Sequence, residues 1–186
     1  MFFMKPFATL VILMYESTLR SPDTRETMDK QSFTQGVEQC SRMLYRVAMS
    51  YTGNPSDAAD AVQEALLRAW NRRDTLRNEQ YFATWLTRVL INECKTLIRK
   101  RRRMIPAAYP AESVSPPPDA YRPVFEALMR LDAKYRVPLI LHVLEGYSIR
   151  DVASMMHLSP GTVKTRIFRA RTKLEKEVLC DETRNA

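Results

Sequence analysis

Between Lys95 and Arg103, six of nine residues are cationic (Lys95, Arg99, Lys100, Arg101, Arg102 and Arg103) and none is acidic. Such a run suits a phosphate backbone, because each neutralised phosphate releases condensed counterions. Read alone, it is equally the solvated end of a helix, where cations offset the negative pole of the macrodipole. A second cationic set, Lys164, Arg166, Arg169, Arg171 and Lys173, is interleaved with Thr162, Thr165 and Phe168. Arginine and lysine suit phosphates and guanine edges, while threonine and phenylalanine can touch bases or thymine methyls. Of opposite sign is the polar face Asp57, Asp60, Gln63 and Glu64. It suits a basic protein surface, and by itself also reads as plain solvated surface.

Nothing in the chain assembles catalytic chemistry. There is no glycine-rich phosphate loop and no Ser/His/Asp or Cys/His group in a supporting context. No enzymatic activity, cofactor or small-molecule substrate is therefore expected. Cys40, Cys94 and Cys180 are far apart and the two histidines are His142 and His157, so neither a disulfide framework nor a zinc site is expected. Cys40 lies on an apolar stripe and reads as a small buried thiol; His142, on an apolar helix, reads as structural.

The elements that must position these residues are helical. Glycine is scarce at 4 of 186 residues, with good helix formers plentiful. The net charge of +8 calls for a polyanionic partner, although composition does not separate nucleic acid from an anionic membrane or the ribosome. Ser32 with Gln35 predicts a capping box. Phe33, Val37, Cys40, Leu44, Val47 and Tyr51 then recur at helical spacing up to about Thr52, where Gly53-Asn54-Pro55 is a stop. Ser56 predicts the cap of a second helix with Ala59, Val62, Leu66 and Trp70 inward. A third helix is predicted from about Gln80 to Arg102. Residues 104–122, with Pro106, Pro110 and Pro116-Pro117-Pro118, lack periodicity and read as a linker.

Beyond it, a short helix from Pro123 and another from Asp132 to Glu145 precede the most informative segment. Ser148 with Asp151 opens a short helix to Met156, His157-Leu158-Ser159 makes a corner, and Ser159-Pro160 opens a longer basic helix. A short helix, a tight turn and a capped basic helix form the helix-turn-helix pattern. The fold class expected is all-α: two small helical domains, 29–103 and 123–180, joined by the Pro-rich linker, the second a helix-turn-helix. Residues 1–28 read as a leader. Its apolar run, Met1 to Tyr15, is too short to span a bilayer and has no cleavage signal before Glu16 and Arg20. Met28 is the expected start of translation.

With these residues placed, a family resemblance stands out. Asp57 to Trp70 (DAADAVQEALLRAW) resembles the core-binding segment of extracytoplasmic-function sigma factors of the sigma-70 family. Phe82 to Asn92 (FATWLTRVLIN) with its basic tail resembles their promoter-melting helix. Tyr147 to Ala153 followed by Gly161 to Arg171 is similar to their C-terminal helix-turn-helix. The resemblance runs from about Phe33 to Val178, with both modules in order. It implies a cytoplasmic bacterial initiation factor, not an integral membrane protein, that binds core RNA polymerase and promoter DNA and is held inactive by an anti-sigma factor. It implies polymerase binding by Asp57, Asp60, Gln63, Glu64 and Leu67. Contacts to the −10 element would come from Leu76, Arg77, Asn92, Lys95, Arg99, Arg101 and Arg102. Thr162, Lys164, Thr165, Phe168, Arg169 and Arg171 would read the −35 element. Leu76 stands where a bulky aromatic is common, Thr96 where an acid is common, and Asp132 where a proline is common. The rival readings are a plain helix-turn-helix repressor or activator, and a basic protein peripheral to a membrane or ribosome.

Overall fold

A computed structural model of the chain describes residues 28–104 and 122–184; the leader up to residue 27 and residues 105–121 of the expected linker lie outside them. Helix α1 (Lys30–Thr52) begins at Asp29, whose side chain accepts from the Ser32 amide at 2.7 Å. Asp29, rather than the expected Ser32, is thus the cap. An aspartate there satisfies an orphan amide and complements the positive helix end. Gly53, at φ 66°, closes α1 in the left-handed conformation that suits a glycine. Helix α2 (Pro55–Asn71) is capped by Asn54, which accepts from the Asp57 amide at 2.9 Å, so Ser56 is not the cap. Pro55 then occupies the first turn, where its missing N–H costs nothing.

Two single 3-10 turns, Arg73–Thr75 and Glu79–Tyr81, lead into α3 (Phe82–Met104). Helices α1, α2 and α3 pack against one another. Phe33 is the aromatic pivot, edge-on to Trp70 at 5.2 Å and to Phe82 at 5.4 Å between ring centroids. Gly36 is required for this approach, since a Cβ there would lie 2.6 Å from the Phe82 ring.

The second module contains α4 (Arg122–Arg130), α5 (Ala133–Leu139), α6 (Ile149–Met156) and α7 (Pro160–Arg184). After Pro138 the helix widens into a π turn, Ile140–Leu144, closed by the Glu145 amide on the Ile140 carbonyl at 3.1 Å. A proline removes one donor from the ladder, and a local π turn absorbs the irregularity. His142 Nδ1 lies 2.7 Å from the Tyr147 carbonyl, fixing the corner beyond it.

The two modules do not stand apart. α1 contacts α5, α3 contacts α6, and Leu44, Val47, Leu86 and Leu90 belong to one continuous core with Val137, Leu141, Val152, Met155 and Val163. Among the described residues there is no strand, and no helix is long and apolar enough to cross a membrane.

Candidate nucleic-acid and polymerase interfaces

The acidic face of α2 divides by helical phase. Asp60 and Glu64 are exposed, with Gln63 and Leu67 half-buried between them and the core. Asp57 is not on that face. It is buried, and its carboxylate takes the Arg101 guanidinium of α3 at 2.5 Å. A carboxylate buried in the first turn of a helix needs such a partner, because an unpaired charge there is costly. Arg101 is correspondingly engaged within the protein rather than free.

The connection between α2 and α3 carries Leu76, half-buried and packed on the core, and exposed Arg77. Asn92 is exposed on α3, a turn before Lys95, and Arg99 and Lys100 are exposed toward the helix end. Arg102 belongs to α3, but its side chain lies outside the described set. One residue earlier than Lys95, Cys94 is fully buried, and burial pushes its thiol up to about 12. Beside it, Glu93 is buried against Arg68 at 3.2 Å; desolvation raises its carboxyl above the usual range, opposed by Arg68. The α3 surface is thus basic at its outer edge and closed at its inner one.

The helix-turn-helix is built as its sequence predicts. Ser148 and Asp151 make a reciprocal capping box. His157 turns the corner at φ 56°, and Ser159 Oγ accepts from the Thr162 amide at 3.1 Å to start α7. Val152, Ala153, Met156, Val163 and Ile167 fill the interior, with Ile149 and Leu158 partly buried. Outward, Lys164, Thr165, Arg169 and Arg171 are exposed, and Phe168 is 70% exposed. A large aromatic left in water among cations is the kind of group that base edges can cover. Thr162 is half-buried at the helix start, with its hydroxyl 2.8 Å from Ser159 Oγ.

Several consequential contacts escaped the sequence reading because they form between residues far apart in the chain. Arg136 of α5 is buried, with Nε donating to the Ser50 carbonyl of α1 at 2.7 Å and the same guanidinium donating to the Met129 carbonyl. Its burial lowers its proton affinity, with Asp132 countering. A charge inside the apolar run Tyr135 to Leu139 was the available signal. Arg46 of α1 grips Glu145 through two bonds of 2.7 and 2.9 Å. On α3, Arg88 donates to His157 Nε2 at 3.1 Å, and Lys95 Nζ lies 3.5 Å from the Met156 carbonyl. Arg166 is half-buried, not outward-facing like its neighbours on α7.

Comparison with known proteins places this arrangement. Residues 37–104 match the Sigma-70 region 2 family profile, and residues 121–174 match Sigma-70, region 4. The chain is 34% identical over 154 residues to the ECF RNA polymerase sigma factor SigM of Mycobacterium tuberculosis, covering 80% of this chain and 78% of that one. It is 32% identical over 144 residues to the RNA polymerase sigma factor SigV of Bacillus subtilis, covering 73% and 87%. Among solved structures it resembles the sigma factor RpoE in complex with the anti-sigma factor NepR from Bartonella quintana. That match has a TM-score of 0.68 and 29% identity, covering 81% of this chain and 99% of that one. CnrH, solved with the cytosolic domain of CnrY, shares the fold at a TM-score of 0.63 and 23% identity, covering 95% and 97%.

Proposed function

Since the chain belongs to the extracytoplasmic-function sigma factors of the sigma-70 family, we propose that it binds core RNA polymerase, directs it to particular promoters and helps open them. The observation that carries this reading is the presence, on one chain, of an exposed acidic helix face, a basic helix end and a capped helix-turn-helix with an uncovered aromatic. A plain duplex-binding regulator has use only for the last.

In this reading Asp60, Gln63 and Glu64, with the Leu67 edge, dock on a basic surface of the polymerase. Asp57 contributes by holding Arg101. Asn92, together with Leu76 and Arg77 of the α2–α3 connection, holds an unpaired base of the −10 element, and Lys95, Arg99 and Arg102 neutralise nearby backbone. Extruding a base costs a few kcal/mol, so these contacts supply through binding what hydrolysis supplies elsewhere. The protein works by association in the cytoplasm, not by catalysis. Thr165, Phe168 and Arg169 read the −35 element in the major groove, with Thr162 at the helix start and Lys164 and Arg171 on phosphates.

Elements at −10 and −35 are roughly 25 base pairs apart, on the order of 80 Å at about 3.4 Å per pair. Lys95 of α3 is within 3.5 Å of the end of α6, so reading both elements at once requires the modules to separate. The packed arrangement is the one that resembles a relative solved with an anti-sigma factor, and a partner of that kind is proposed here too.

The deciding experiment is capture by core polymerase, compared for the native chain and a variant with Asp60→Arg and Glu64→Arg, followed by run-off transcription. Capture lost in the variant and promoter-specific transcripts from the native chain are expected. Equal capture of both would overturn the docking assignment, and no capture of the native chain would overturn the function.

A further inference from the structure

Where the two modules meet, a cleft of about 390 Å³ is lined by Tyr51 of α1, Lys95, Ile98, Arg99 and Arg103 of α3, and Ala133 of α5. Its walls therefore come from both modules. Arg166 of α7 adds a further positive charge close to both Lys95 and Tyr51.

The charges here are unbalanced. Among the described residues, no carboxylate pairs with Lys95, Arg99, Arg103 or Arg166. Among the described residues the Lys95 ammonium has one acceptor, the Met156 carbonyl, at 3.5 Å. Partial desolvation and then Arg166 pull its proton affinity below the ordinary lysine range. The Tyr51 hydroxyl has no hydrogen-bond partner among the described residues. Like charges brought together in an open cleft repel, and an anion that binds among them relieves that repulsion.

We propose that this inter-module cleft is a binding site for a short oligophosphate, free or as the tail of a nucleotide. Lys95, Arg99 and Arg103 line it, Arg166 stands beside them, and the Tyr51 hydroxyl donates from its floor. Several cations call for several negative charges, so a chain of phosphates fits better than a single one. The volume is that of a small-ligand site. Because the walls belong to both modules, the ligand stabilises the packed arrangement by an amount that grows with the logarithm of its concentration above Kd. Resting on the function proposed above, the same ligand competes with promoter DNA for Lys95 and Arg99.

Titration calorimetry on the full chain, near physiological ionic strength, with inorganic tripolyphosphate and separately with ATP, tests the site. Saturable one-to-one binding is expected. Equal affinities assign the site to the phosphate chain, and tighter ATP binding extends it to a nucleotide. Arg166→Gln and, independently, Arg103→Gln should each weaken binding by about tenfold, the scale of one charge-assisted contact. Arg42→Gln, an exposed cation elsewhere on α1, should leave it unchanged. No saturable binding, several equivalents bound, or an equal loss from Arg42→Gln would overturn the proposal. Neither polymerase nor promoter enters this measurement, so its failure leaves the function proposed above standing.

Discussion

The carboxylate of Asp57, in the first turn of α2, accepts from the Arg101 guanidinium near the end of α3 at 2.5 Å. The helix assigned to polymerase docking thus fixes the basic end of the helix assigned to promoter DNA. Asp57 has only 7% of its side chain exposed, whereas Arg101 keeps 48% in water. Replacing the arginine takes a charged partner from a nearly buried anion, and a buried charge loses more by that than an exposed one.

Arg101→Gln should therefore lower unfolding stability by about 1–3 kcal/mol, the scale of a lost hydrogen bond to a buried charge. Lys100→Gln, at an exposed neighbouring position, should stay within about 0.5 kcal/mol. Urea denaturation of the two variants checks this, and equal midpoints would mean that the ion pair carries no stability.

Arg136 joins the modules from within. Arg136→Met keeps the bulk but leaves the Ser50 and Met129 carbonyls without this donor, and should cost about 2–4 kcal/mol. Arg136→Lys should not restore the loss, because one ammonium cannot reproduce a planar fork directed at two carbonyls. Thermal unfolding measures both, and a lysine variant as stable as the native chain would contradict the fork.

Cys40 and Cys94 are buried, and burial pushes both thiols up to about 12. At pH 8 in the folded chain both should resist iodoacetamide and become labelled only in denaturant, as peptide mass spectrometry can read. The linkage follows in sign. Above an ordinary thiol pKa of about 8.5 the unfolded chain loses these protons while the folded chain keeps them, so stability falls as pH rises from there toward 12. Replacing both with alanine should remove that alkaline slope.

On the DNA side, Arg169→Ala should lose about 1–3 kcal/mol of discrimination at one upstream base, if its contact is bidentate. Neutralising Arg99 and Lys100 together should weaken all promoters alike and flatten the dependence on salt. Footprinting across a salt series separates the two, and identical behaviour would mean that Arg169 reads backbone rather than base.

The sequence alone determined what is local. The Ser148–Asp151 capping box, the corner at His157 and the Ser159 cap of α7 all depend on residues three or four apart, and such contacts are made by the helix itself. The amphipathic stripes and the helix-turn-helix were legible for the same reason. Even locally, competition between nearby caps was not: Asp29 and Asn54 displaced Ser32 and Ser56, three and two residues away.

Only the tertiary structure decided which polar residues face inward and how the modules relate. Asp57 shares a helix with exposed Asp60 and Glu64, yet the crossing of α3 puts it under Arg101. Arg136 meets Ser50 across 86 residues and Arg46 meets Glu145 across 99. The two modules pack against each other because apolar faces of α1 and α3 remain open after the first three helices pack, and α5 and α6 cover them. Helical periodicity states that a face must be buried; which partner buries it is settled by the crossing of helices, and that is written in no single stretch of chain.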